Sequence, residues 1–134
     1  MDSRHRDFLS VMGHLYLVNG KADRAVTVYQ CLHAELPDDD LVTLALAFAW
    51  LQDGEFSKAL DLCEEVASNG RLSVEPPGLD LFIRAKALWG RGEQQEARRT
   101  MKEFLATGAS RDALPDSRME VGNAEGGVEN RQNV

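Results

Sequence analysis

No apolar run in this sequence is long enough to cross a bilayer, which takes roughly 20 residues; the apolar stretch Leu41–Leu51 has eleven. Basic residues are in deficit, with 15 Lys and Arg against 22 Asp and Glu, for a formal net charge of −7. That balance argues against a nucleic-acid backbone or an anionic membrane surface as partner, because both require Lys and Arg in patches. Cysteine is scarce. Cys31 and Cys63 lie among apolar neighbours in helical patterns without CxxC spacing, and are expected to be small buried hydrophobes in a reducing compartment. His5, His14 and His33 have no HExxH or CxxC companions, so no metal site is expected.

Catalytic constellations are also missing. Gly90-Arg91-Gly92-Glu93 has part of the spacing of a glycine-rich phosphate loop, but it follows a helical pattern rather than a strand and lacks the third glycine. It reads as a turn between helices. Carboxylates are plentiful, yet Asp38–Asp40 and Glu64–Glu65 fall at expected solvated helix ends and faces, with no base or nucleophile paired to them. Neither an enzyme nor a cofactor is implied. The opening MDSRHRDF is charged and has no apolar h-region, so no secretory signal is expected and the location reads as cytosolic.

What is present begins with Leu41–Leu51, LVTLALAFAWL, in which Thr43 is the one polar side chain. A helix that is apolar on every face must be buried on all sides or meet a partner. Ala and Leu favour the helix, Asp38, Asp39 and Asp40 precede it as capping carboxylates, and Gly54 follows as a stop. The 134 residues amount to one domain around this central helix.

The rest of the chain repeats at a helical-hairpin period. Gly20 with Ala25 recurs as Gly54 with Ala59 after 34 residues, and as Gly92 with Ala97 after a further 38. Each Gly falls in a short turn after one apolar helical run, and each Ala one turn into the next. The first unit supplies Leu9, Met12, Gly13, Tyr16, Ala25, Tyr29 and Pro37; the second Leu46, Ala47, Trp50, Gly54, Ala59 and Cys63; the third Leu81, Ala85, Leu88, Gly92, Ala97 and Met101. This register resembles the tetratricopeptide pattern, in which small residues let two antiparallel helices approach and large ones fill the space beside them. The expectation is an all-α fold of three helix-turn-helix repeats in a short right-handed superhelix. Helices are expected over 4–19, 22–35, 39–52, 55–68, 78–90 and 93–106, and a loop around Val74, Glu75, Pro76 and Pro77 takes up the four extra residues. Residues 1–107 form the repeat domain. Residues 108–134, rich in glycine and without apolar period, are expected to be a disordered tail.

In such an array the first helix of each unit lines a concave groove through its second, fifth, ninth and twelfth positions. The second unit then contributes Leu41, Leu44, Phe48 and Leu51, and the third Leu79, Phe82, Lys86 and Trp89. The first contributes the more polar Asp7, Ser10, His14 and Leu17. The seven large apolar side chains that the second and third units bring to one cleft mark a partner site. Covering them is worth on the order of 10 kcal/mol before ordering costs. The competing expectation is that a terminal helix, the tail or a second copy covers the cleft. Carboxylate-clamp co-chaperones use Lys and Asn at groove positions of the first two units, which here hold Asp7, Ser10, Val11, His14, Leu41, Leu44 and Phe48, so the ligand is expected to be an apolar helix or an extended apolar segment.

A narrower resemblance covers residues 6–37. The run Asp7-Phe8-Leu9, Gly13, Leu15, Leu17, Gly20, Ala22 and Arg24-Ala25 is similar to the YscY-type chaperones of bacterial type III secretion systems. This resemblance implies a bacterial cytosolic chaperone of a small secreted partner of the YscX type, whose complex engages the export gate at the inner membrane. Translocator chaperones and needle-subunit co-chaperones share the fold and stay open as alternatives. So do a general scaffold and a protein that sequesters a regulator.

Overall fold

The computed structural model describes residues 2–69 and 77–107 of the 134. Six helices follow one another: α1 (Ser3–Val18), α2 (Ala22–Glu35), α3 (Asp40–Gln52), α4 (Phe56–Ser68), α5 (Leu79–Gly90) and α6 (Gln94–Ala106). Every boundary lies within one residue of its sequence expectation, and the described residues contain no strand. The expected disordered tail over 108–134, and with it the domain boundary at 107, lies outside the described residues. So do residues 74–76 of the expected loop, while Pro77 and Gly78 form a turn into α5.

The same turn closes all three hairpins. In each, a glycine of positive φ (Gly20, 75°; Gly54, 83°; Gly92, 87°) ends the first helix. The residue after it donates its N–H to a carbonyl five residues back: Lys21 to Tyr16 at 2.8 Å, Glu55 to Trp50 at 2.9 Å and Glu93 to Leu88 at 3.0 Å. The glycine N–H reaches back three residues in each case. This is a Schellman closure, and the left-handed backbone it needs is why glycine recurs there. N-terminal caps are more varied. Asp2 Oδ1 accepts from the His5 N–H at 2.9 Å and Asp39 Oδ1 from the Val42 N–H at 3.1 Å.

Small residues form the seams within each pair. Gly13, Ala47 and Ala85 on the first helices are buried, as are Ala25, Ala59 and Ala97 on the second. A Cβ at Gly13 would sit 2.6 Å from Tyr29 Cζ, and one at Gly90 would sit 2.5 Å from Phe56 Cζ, so two aromatic rings rest directly on glycine. Each helix packs on the next, and α3 also packs on α5.

The largely apolar α3 is therefore flanked by α2, α4 and α5, and its residues divide between two core clusters. Leu44, Ala47 and Leu51 join Ala59, Cys63, Val66, Ile83 and Ala87, while Leu46 and Ala49 join Ala25, Val26, Tyr29 and Leu32. Thr43 is buried with its hydroxyl satisfied, donating to the Asp39 carbonyl at 3.1 Å and pairing with His33 Nδ1 at 3.3 Å. Asp40 is buried too, against the expectation that all three aspartates are solvated; it stands in the first turn of α3. The two cysteines part company. Cys63 is buried as expected, whereas Cys31 is exposed, because it lies on the face of α2 that no neighbouring helix covers.

Candidate functional site

A cleft of about 510 Å³ opens between the first helices of the three pairs. Its walls are His14, Leu17 and Val18 from α1, Leu41, Leu44, Ala45, Phe48 and Gln52 from α3, and Leu79 and Ile83 from α5, with Tyr29 of α2 beneath. His14, Leu17, Leu41, Leu44, Phe48 and Leu79 thus come together as the repeat register expected. Within the group, Leu44 has no exposed surface and contributes a floor, while Leu41 is 52 % exposed. Phe48 is half-buried, with part of its ring open to the cleft.

Leu51, Phe82 and Trp89 are elsewhere. Leu51 is 7 % exposed and sits in the core cluster beneath α4 and α5. The Phe82 ring lies 5.4 Å from that of Phe104 on α6. Trp89 is 53 % exposed, lining a separate dent of about 250 Å³ with Ala85, Lys86, Ala97, Arg98 and Met101, where the Arg98 guanidinium stands 6.0 Å from its ring.

The correction has one geometric cause. An α-helix turns about 100° per residue, so positions three apart rotate one way from the cleft axis and positions four apart the other. The fifth and twelfth positions of a first helix rotate toward the following repeat. On α3 that repeat exists, and α5 covers Leu44 and Leu51; on α5 no further repeat follows among the described residues, and Phe82 and Trp89 lie beside α6. Besides Leu17 and Leu44, which hold twelfth and fifth positions and still reach the cleft, the lining follows the four-residue step, Leu41 to Ala45, Phe48 to Gln52, and Leu79 to Ile83. Ala45, Gln52 and Ile83 were legible in that step, and Val18 follows His14 by it. Tyr29 comes from a second helix, which the first-helix rule does not reach.

Residues 41–65 and 81–103 match the profile of the tetratricopeptide repeat family. The match falls on α3–α4 and on most of α5–α6, and α1–α2 carries the same Schellman turn and small-residue seam. The three helix pairs are tetratricopeptide-like repeats. No curated protein matches the chain.

Tetratricopeptide repeats present a surface for protein partners, and the chemistry of this cleft suits that. Its lining is almost wholly apolar, with His14 and Gln52 as its polar side chains and Tyr29 adding a phenol. Burial holds that phenol above its ordinary pKa. Beneath, Cys63 is pushed up to about 12, first by burial, with Arg84 opposing and Asp80 reinforcing the shift, so it stays a neutral thiol. Among the described residues no cluster of three or more His, Cys, Asp or Glu is arranged to hold a metal ion, and no helix is long and apolar enough to cross a membrane.

Proposed function

We propose that this protein is a cytosolic chaperone of type III secretion that holds an apolar helix or extended segment of a small secreted subunit, of the YscX type, in the cleft between α1, α3 and α5. The observation that carries the binding part is the cleft itself, an open apolar channel with Leu41 half-exposed and Phe48 partly so. A groove of this kind takes side chains from one face of a helix. The secretion part rests on the likeness of residues 6–37 to YscY-type chaperones. In this reading the protein is a binding module rather than an enzyme. It prevents an amphipathic segment from aggregating, while Asp53, Glu55, Asp61, Glu64 and Glu65, all exposed, keep the complex soluble. Delivery to the export gate follows as the next step.

The test is a pull-down of the tagged protein from its native host, with mass spectrometry of what accompanies it, repeated with Leu41→Glu. Recovery of a small secreted protein that is lost with the variant supports the reading. Recovery of cytosolic assembly factors or of a regulator, lost in the same way, replaces the secretion part with a scaffold or sequestering role. A partner that survives the substitution overturns the cleft as the binding site.

A further inference from the structure

Each residue lining the dent beside Trp89 stands 38 positions after a member of the larger core cluster or a residue packed on it. Ala85, Lys86 and Trp89 on α5 follow Ala47, Phe48 and Leu51 on α3, and Ala97, Arg98 and Met101 on α6 follow Ala59, Leu60 and Cys63 on α4. In the second repeat those positions pack with Ile83 and Ala87 of α5, the helix that comes next. The dent is therefore the face on which the next element stands in the preceding repeat. No described element stands on it here. Its chemistry differs too, since Phe48 gives way to Lys86 and Leu60 to Arg98. Arg91 and Arg99 close by are paired with Glu93 and Glu96. Lys86 and Arg98 instead lie against rings, 5.6 Å from that of Phe82 and 6.0 Å from that of Trp89. An occupant that suits this dent brings an apolar side chain for its floor and carboxylates for its two cations.

We propose that the chain's own segment Asp112-Ala113-Leu114-Pro115-Asp116 fills the dent, with Leu114 on its floor beside Trp89 and the two carboxylates against Lys86 and Arg98. The segment has the right pattern. Pro115 disfavours the helical region for Leu114, and in an extended run residues two apart face the same way. Asp112, Leu114 and Asp116 then share one face. The segment also has the reach. The middle of the dent lies about 10 Å back along α6 from Ala106, at about 1.5 Å per residue. The stretch from Thr107 to Leu114 extends to roughly 23 Å. The reversal falls at Gly108, which follows the C-cap Thr107 as Gly20, Gly54 and Gly92 follow the C-caps Asn19, Asp53 and Arg91. At those three places the chain turns back on itself. The dent is separate from the cleft between α1, α3 and α5, so the docked segment leaves the cleft open.

Trp89 reports the docking directly. Trp50→Phe in the full chain leaves it as the single tryptophan, and acrylamide quenching reads its exposure. Leu114→Ser should shift its emission to longer wavelength and raise its quenching, as should Asp112→Lys with Asp116→Lys. Lys86→Glu with Arg98→Glu should remove the protection from the parent and return it to the Asp112→Lys, Asp116→Lys chain. A second measurement needs no change at Trp50. In a Cys31→Ser chain, Leu114→Cys with Met101→Cys should close an intrachain disulfide about tenfold faster than Val128→Cys with Met101→Cys, because docking raises the local thiol concentration. A Trp89 equally quenched in the parent and in Leu114→Ser, or equal closure rates for the two cysteine pairs, overturns the proposal. So does protection that grows with protein concentration, which would put a second copy in the dent. Failure of the charge reversal to restore protection overturns the pairing with Lys86 and Arg98.

Discussion

Gly13 lies beneath the ring of Tyr29, and Gly54 sits in a turn with nothing within 4 Å of where a Cβ would be. Alanine at either position should destabilise, for different reasons. In an exposed helix Gly→Ala gains about 1 kcal/mol, but at Gly13 the new methyl must displace a buried ring, at a cost of about 1–3 kcal/mol. At Gly54 the cost of about 1 kcal/mol comes from forcing a side chain into φ 83°. Urea unfolding should show a lowered midpoint for both, and Tyr29→Leu should relieve Gly13→Ala without affecting Gly54→Ala.

The cysteines give a second residue-scale prediction. A thiol reagent near pH 8 should label Cys31 quickly in the native protein and Cys63 only on unfolding, since exposure and thiolate content both set the rate. Cys63 also couples stability to pH. Its folded pKa of about 12 lies above the ordinary 9.0, so its contribution is complete below about 9 and is lost as pH climbs from 9 toward 12. The decline of stability over that alkaline window should be shallower in Cys63→Ala than in the parent.

At the scale of the helix, α3 carries two tasks that its sequence does not visibly separate. Leu41, Leu44, Phe48 and Leu51 look alike in the pattern, yet Leu44 and Leu51 are core, whereas Leu41 and Phe48 open into the cleft. Leu41→Glu and Phe48→Glu should therefore abolish partner capture with helicity intact. Leu44→Glu should unfold the array, because it buries a carboxylate with no partner. Binding titration set beside circular dichroism distinguishes the two outcomes. If Leu44→Glu stays folded and merely stops binding, the division of α3 argued above is wrong. Cys63→Ser should lower stability by about 1–3 kcal/mol, leaving an unmatched hydroxyl in the core without altering affinity.

Across the whole array, stability passes between neighbouring helices, as in other stacked repeats. α3 packs on α2, α4 and α5, while α1 packs chiefly on α2 and among the described residues leaves Phe8, Val11, Leu15 and Val18 exposed. Hydrogen exchange should follow that gradient, with peptides from 40–52 slowest and those from 3–18 among the fastest. Equal protection in α1 and α3 at low protein concentration would contradict it.

The sequence alone determined the helices, the hairpin turns and the small-residue seams, since each depends on neighbours a few residues away. Schellman glycines at Gly20, Gly54 and Gly92 announce a left-handed backbone, and an alanine five residues later announces close approach. The cleft was half legible. His14, Leu17, Leu41, Leu44, Phe48 and Leu79 converge as the register implied, but whether a position three residues along turns into the core or out of it depends on whether another repeat follows. That is why Leu51, Phe82 and Trp89, equally greasy in the sequence, have different fates. Only the tertiary structure decided these positions, and only it showed that α1 keeps a second apolar face with no neighbour among the described residues. Periodicity records how a helix turns; it does not record what stands beside it.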